Sequence, residues 1–333
     1  MYLPKIYSFL QDLKRPEKVW ERRRLRIRTR TFLDCLPKWQ EASHLRFIGR
    51  GSHSIGYSFI HRNREYVIRI SRDVSAFTRD SLATRYADSF PVPRVFEIGA
   101  FEKDRYYAIS ERSSGKQIKM LKMSSALRVI PLMFETLERI HLADISGAVG
   151  YGVVDGAGNG MSPSWKDFLL WNDRYRRSEQ WNREMSGTFL DHQLYDQCLA
   201  RMVSLIPFCP EERSLVHGDY SFSNVLSDGK QITSVIDWQY CSIGDALFDF
   251  ASCYFWYCNC LHGKTWLEII NGTQRGLKNF DERFRCYMLK SAVGGLANSV
   301  QTRNMEKYQH RVFLVKYVLR MLDKPIETWN SYK

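Results

Sequence analysis

The spacing of apolar side chains changes period along the chain. Residues 1–45 carry them at helical intervals, broken at Pro37, with Val19, Trp20, Ile27 and Phe32 placed to pack a helix against a larger body. From Leu45 the pattern alternates as expected of half-buried strands, over 45–48, 55–60, 66–71 and 106–110. A helix in the seventies and eighties stops at Pro91-Val92-Pro93, because proline fixes φ and turns its predecessor away from helix, and another strand follows. Beyond about residue 119 the spacing is helical again, over 129–143, 190–205, 250–260, 266–270, 283–300 and 308–322, and the glycine-rich stretch 147–160 reads as a flexible loop. One β-type stretch interrupts the helices. There Asn224-Val225-Leu226 and residues 232–238 flank Asp228-Gly229, a dipeptide suited to the positive φ angles of a tight hairpin turn.

These elements predict an α+β chain in three parts: a helical extension over 1–44, a small β-rich lobe over 45–115, and a larger, mainly helical lobe over 116–333 that contains the hairpin. A length of 333 residues exceeds the usual single core, which suits two lobes. No internal repeat or low-complexity tract is present.

Charge marks the extension out. The net charge is +13, and residues 1–45 hold 11 Lys or Arg against 5 acids, nearly half the excess. The run Arg22-Arg23-Arg24 with Arg26, Arg28 and Arg30 predicts either weak contact with an anionic surface, RNA or membrane, or a solvated helix face, which is the commoner outcome. The eight cysteines include no CxxC pair and no zinc-ligand set, which predicts reduced, buried thiols. With no secretory apolar core and no run of ~18 apolar residues, the expectation is a cytoplasmic monomer without a transmembrane segment.

The chemistry concentrates between Leu215 and Asp249. The hairpin brings Asp237, at the end of its second strand, toward Asp219 and Asn224, which lie five apart on the loop feeding the first. Two carboxylates and an amide oxygen in one small volume are costly unless a hard cation or a proton sits among them, and Mg²⁺ is the natural occupant. Phosphoryl transfer needs such parts, a carboxylate to orient an alcohol and oxygen ligands to hold the metal. In the small lobe, the loop Gly49-Arg50-Gly51-Ser52-His53-Ser54 can lay N–H groups and hydroxyls over phosphates, with Ser52, His53 and Ser54 as candidates, although it matches no Walker or protein-kinase glycine signature.

The order His217-Gly218-Asp219, Asn224, Ile236-Asp237-Trp238 resembles the catalytic segment of the aminoglycoside phosphotransferase family. Arg69, Phe77-Thr78-Arg79-Asp80 and Trp165-Lys166-Asp167-Phe168 are similar to its hygromycin B branch. The resemblance spans about residues 45–322, with strong motifs only from His217 to Asp249. It implies a two-lobed protein-kinase-like fold, Asp219 as base, and Asn224 and Asp237 as Mg²⁺ ligands. Arg69 then stands where lysine usually meets the nucleotide phosphates and pairs with Asp80, while Ser110 and Arg112 fall at the adenine-binding hinge. Arginine keeps the charge with a different geometry. Asp167 would meet a substrate ammonium and Trp165 cover a sugar ring, against the plainer reading of a buried Trp beside a surface Asp. Asp245 and Asp249 would hold the catalytic loop.

The function implied is transfer of the γ-phosphoryl of ATP or GTP, with Mg²⁺, to a hydroxyl of an aminoglycoside-type antibiotic. A kinase of another small alcohol (choline, an amino acid, a sugar, a macrolide) and a non-catalytic pseudokinase are the alternatives. The insert 161–200 is charge-balanced, whereas a polycationic acceptor calls for acids.

Overall fold

The computed structural model describes residues 16–51 and 54–331. They form two compact units, one of the residues up to Val74 with Val95–Arg112, the other of Ser75–Arg94 with the chain from Ser113 onward.

The first unit is a helix, α1 (Pro16–Cys35), and an antiparallel sheet of β1 (Ser43–Arg50), β2 (Ser54–His61), β3 (Arg64–Ser71), β4 (Val95–Glu102) and β5 (Arg105–Glu111), in the order β1-β2-β3-β5-β4. Leu25 and Leu33 of α1, with Trp39, share one core with Tyr57, Phe59, Ile68, Ile70, Tyr107 and Ile109 of the sheet. The helix is therefore a layer of this unit. Its buried stripe is Leu25, Thr29 and Leu33, one residue per helical turn, while Ile27 is 61% exposed. Ile27 does not pack as expected, because it lies off that stripe. Phe32 does, edge-on against Phe101 and Tyr107 at 4.8 and 4.9 Å. The side chains of Val19 and Trp20 lie outside the described part. Glu97 receives the Trp39 indole N–H at 2.8 Å and the Tyr107 hydroxyl, so the two polar groups carried into this core are satisfied by one carboxylate.

The second unit holds α2 (Val74–Ala83, from Ser75 onward) and the long α3 (Met123–His141). It continues with the short helices α4 (Trp165–Leu169), α5 (Trp171–Arg176) and α6 (Glu179–Met185), and then with α7 (His192–Leu205). The remaining helices are α8 (Leu247–Tyr257), α9 (Leu261–Thr273), α10 (Phe280–Gln301) and α11 (Met305–Met321). Helix α3 begins six residues before the expected start and runs through Pro131, since a continuous stripe of Ala126, Ile130, Met133, Phe134, Leu137 and Ile140 is buried along it. Phe134, Phe250 and Trp266 meet at 4.8 to 5.9 Å in the core it covers.

The segment 147–160 is not the flexible loop its glycines suggest. It builds β7 (Tyr151–Val154) and leads into β8 (Gly160–Ser162), which join β12 (Ser242–Gly244) and β9 (Ser214–Val216) in the order β8-β7-β12-β9. Asp155 fixes the turn by accepting N–H groups from Ala157, Gly158 and Asn159 at 2.8, 3.0 and 3.0 Å. The hairpin around Asp228-Gly229 is β10 (Val225–Ser227) with β11 (Ile232–Val235), extended by β6 (Lys116–Gln117) in the order β11-β10-β6. Its turn is longer than the expected two residues. Asp228 accepts the N–H groups of Lys230 and Gln231 at 2.8 and 2.9 Å, and only Gly229 takes positive φ, at 94°. Among the described residues no helix is long and apolar enough to cross a membrane.

Candidate active site

The second unit brings Asp219, Asn224 and Asp237 together. Strand β9 delivers the loop 217–224, and two backbone bonds, Asn224 N–H to Ser221 O and Ile236 N–H to Asn224 O, both at 2.9 Å, lock that loop to the strand feeding Asp237. The Asn224 amide nitrogen donates to the Asp219 carbonyl and to its carboxylate, at 2.9 Å each, which turns the amide oxygen the other way. Asp237 is held at φ 70°, a left-handed conformation uncommon outside glycine but one that Asp tolerates better than most residues. Burial first, and then the charge of Asp237, push the Asp219 carboxyl up to about 7, against the lowering effect of the Asn224 bond. This upward push is the electrostatic sign of two carboxylates sharing one volume.

The loop is braced from behind. Asp249, fully buried on α8, accepts the N–H groups of His217 and Gly218 at 2.8 and 2.9 Å and lies 3.2 Å from His141 Nε2, so His141 is a core histidine. The His217 Nδ1 accepts the Asp219 N–H at 3.2 Å, which leaves Nε2 to donate to Ile236 O at 3.2 Å. That tautomer is neutral, and burial holds the ring below its ordinary titration range. Gly218, at φ 79°, passes so close to Tyr240 that a Cβ would stand 2.1 Å from the Tyr240 carbonyl oxygen, so no other residue fits there. Asp245 does different work from Asp249. It binds Arg283 through Nε at 2.9 Å and Nη2 at 2.7 Å, accepts the Tyr287 hydroxyl at 2.5 Å, and caps Leu247 N–H at 2.9 Å. Asp245 thus ties α10 to the start of α8, leaving the loop backbone to Asp249.

Helix α2 grips the turn beyond Asp237. Asp80 accepts the Trp238 N–H at 2.9 Å, and Arg79 donates to Val154 O at 2.8 Å and Gln239 O at 3.0 Å. In the first unit, Arg69 is half-buried on β3, with Gly56 and Ala108 as its in-register neighbours. Ser54 opens β2 and its carbonyl accepts the Gly51 N–H at 2.8 Å, while Ser52 and His53 lie outside the described residues. Ser110 is buried in the ladder between Val67 and Val95, and the Arg112 N–H is taken by Glu65 O at 3.3 Å, which leaves that residue no backbone donor for a base.

Trp165 and Asp167 require correction. Trp165 is fully buried, its indole N–H donating to the Tyr287 hydroxyl at 3.0 Å and its ring stacked on Phe168 at 4.9 Å, so it has no face to offer a sugar. Asp167 accepts the Ser164 hydroxyl at 2.7 Å and Arg174 at 3.0 Å, and these partners hold its carboxyl below the usual range. It already has its cation. Other charged groups of this unit bear on the base. Arg311 of α11 and Lys119, in the turn after β6, both act on the Asp219 carboxylate through space, and Ser223 meets the Tyr257 hydroxyl at 3.0 Å. Only the positive charge of Arg311 and Lys119 was legible beforehand, because their approach to Asp219 depends on tertiary packing.

Among the described residues no group of three His, Cys, Asp or Glu side chains is placed to hold a metal. The Asn224 amide oxygen and the Asp237 carboxylate could hold Mg²⁺, an ion that keeps several waters and takes substrate phosphates as ligands.

The architecture, an antiparallel-sheet unit and a mainly helical unit, is that of the kinase-like phosphotransferases. Hygromycin-B 4-O-kinase of Escherichia coli is 29% identical over 276 residues, 81% of this chain and 79% of that protein. The crystal structure of a thermostable mutant of aminoglycoside phosphotransferase APH(4)-Ia, in ternary complex with AMP-PNP and hygromycin B, superposes with a TM-score of 0.78 at 27% identity, covering 87% of this chain and 97% of that one. The GDP and kanamycin complex of APH(2")-IIia, at 15% identity and a TM-score of 0.62 over 87% and 97% of the two chains, shares the fold. The phosphotransferase enzyme family matches residues 44–274, the span that carries both the sheet and the Asp219–Asn224–Asp237 cluster, and the chain belongs to that family.

Proposed function

We propose that this phosphotransferase moves the γ-phosphoryl of ATP or GTP to a hydroxyl of an aminoglycoside-type acceptor. The observation that carries the reading is the convergence of Asp219, Asn224 and Asp237 on one locked ribbon, with Asn224 directed at the Asp219 carboxylate. Asp219 orients the acceptor hydroxyl and takes its proton. Asn224 and Asp237 would hold Mg²⁺, which when bound supplies charge neutralisation at the nucleotide phosphates. Arg69 would neutralise the nucleotide phosphates, with Ser54 at the phosphate loop. The acceptor class rests on the likeness to Hygromycin-B 4-O-kinase and to the hygromycin B complex of APH(4)-Ia, whose identities are 29% and 27%.

Asp219→Asn is the test. ADP release with hygromycin B as acceptor should fall by at least ~10²-fold, the usual scale of general-base catalysis, with nucleotide affinity nearly unchanged. Turnover retained by this variant would remove Asp219 as the base.

A further inference from the structure

The second unit holds a cavity of about 490 Å³, and none of Asp219, Asn224 and Asp237 lines it. Its volume is that of an ordinary small-molecule pocket. The interior is apolar and buried, built from Leu82 and Ala83 of α2, Val154 of β7, Leu215 of β9 and Ile243 of β12. Cys241 adds a thiol that burial pushes up to about 12, so it brings no charge. The wall is preformed, for Tyr86 stacks on Phe90 at 5.8 Å and Phe90 on Trp238 at 5.5 Å. The mouth is polar. Arg85, in the turn after α2, and Asp144, in the loop after α3, line the cavity and are exposed. The Tyr86 hydroxyl donates to the Asp144 carbonyl at 3.1 Å, which ties the segment carrying one charge to the segment carrying the other. Among the described residues Arg85 makes no ion pair or hydrogen bond, and the Asp144 carboxylate is engaged only by its neighbour Ser146, whose N–H it accepts at 2.9 Å. A cation and a carboxylate thus share one rim without being paired to each other.

We infer that this cavity is a second small-molecule site, for a free α-amino acid with an aromatic or branched apolar side chain. The side chain enters the apolar interior, the carboxylate faces Arg85 and the ammonium faces Asp144. Charge complementarity chooses this class. An apolar anion would set a like charge against Asp144, an apolar amine would do the same at Arg85, and a neutral molecule would use neither. Both charged residues are exposed, so each contact changes affinity only about threefold, and the preference for the zwitterion comes from the two together. The amino acid is held as a ligand and not as a phosphoryl acceptor, because Asp219 is not among the residues of the cavity.

The test is equilibrium dialysis of the full-length protein, with Mg²⁺ and AMP-PNP present to fill the nucleotide position, against three radiolabelled ligands of one shape. These are L-phenylalanine, hydrocinnamate, which lacks the ammonium, and phenylalaninol, which carries a hydroxyl in place of the carboxylate. Phenylalanine should bind the wild type at one site, at least about threefold more tightly than either analogue. Arg85→Gln should weaken phenylalanine about threefold without weakening phenylalaninol, and Asp144→Asn should weaken phenylalanine about threefold without weakening hydrocinnamate. Ala148→Phe, which fills the cavity from its half-buried wall, should abolish binding of all three. Arg85 and Asp144 are surface residues, so their variants keep the test valid if Ala148→Phe fails to fold. No saturable binding of phenylalanine, equal binding of the three ligands, charge variants without this crossed pattern, or binding retained by folded Ala148→Phe overturns the inference.

Discussion

Asp237 and Arg283 illustrate how much a single side chain decides here. If Asp237 contributes a metal ligand, Asp237→Ala should raise the Mg²⁺ concentration needed for nucleotide binding by an order of magnitude or more, about 10- to 100-fold. A magnesium titration followed by nucleotide fluorescence checks it, and an unchanged midpoint would count against the assignment. Arg283 is 2% exposed and pairs with the fully buried Asp245. Arg283→Met leaves that carboxylate unpaired in the core and should cost about 3–5 kcal/mol in urea unfolding, because removing one partner of a buried pair strands the other charge. The Asp219, Asn224 and Asp237 triplet was readable in the sequence because all three sit within one local ribbon, where spacing nearly dictates proximity. Arg283 was not, since its partner is 38 residues away and joined to it only by helix packing.

At the level of elements, α1 is the clearest test of which face a helix buries. Leu33 is fully buried, so Leu33→Ala should destabilise the protein by about 2–5 kcal/mol, through lost burial and the cavity left behind. Ile27→Ala should stay within about 0.5 kcal/mol, as a surface change does. Thermal unfolding of the two variants side by side decides the matter, and a larger loss for Ile27→Ala would reverse the assigned face. The strands of the sheet were legible from their alternation, since each has one face on a core. Helix periodicity located α1 and Phe32 but misplaced Ile27, because the short apolar stripe is completed by Thr29, whose hydroxyl returns to Leu25 O at 2.7 Å and so hides as a core residue. The β7–β8 hairpin was missed for the opposite reason. Its strands are short and glycine-rich, and their pairing with β12 comes from a segment some ninety residues later.

For the molecule as a whole, the large core sets a pH dependence. Lys290, buried on α10, donates to the carbonyls of Phe168 and Leu169 at 3.0 and 3.4 Å and to Asn172 Oδ1 at 2.7 Å, with the Phe168 ring centroid 4.5 Å away. Burial lowers its pKa from an ordinary 10.5 to about 7. Between those values the unfolded chain holds a proton on this residue that the folded chain has released, so Lys290 makes stability rise with pH from about 7 to about 10.5. The stability of wild type relative to Lys290→Met should therefore increase across that window in denaturation curves at fixed ionic strength. A flat difference would mean that its three oxygen partners keep the ammonium charged throughout.

The sequence alone determined that the strands of the five-stranded sheet precede a mainly helical stretch, and that Asp219, Asn224 and Asp237 share one local ribbon, because those properties depend on neighbours close along the chain. Tertiary structure decided that Trp165 is core and that Asp167 is already paired. Trp165 is buried against residues as distant as Tyr287, and even the seven-residue step from Asp167 to Arg174 is closed by the way two short helices meet, so no local pattern records either.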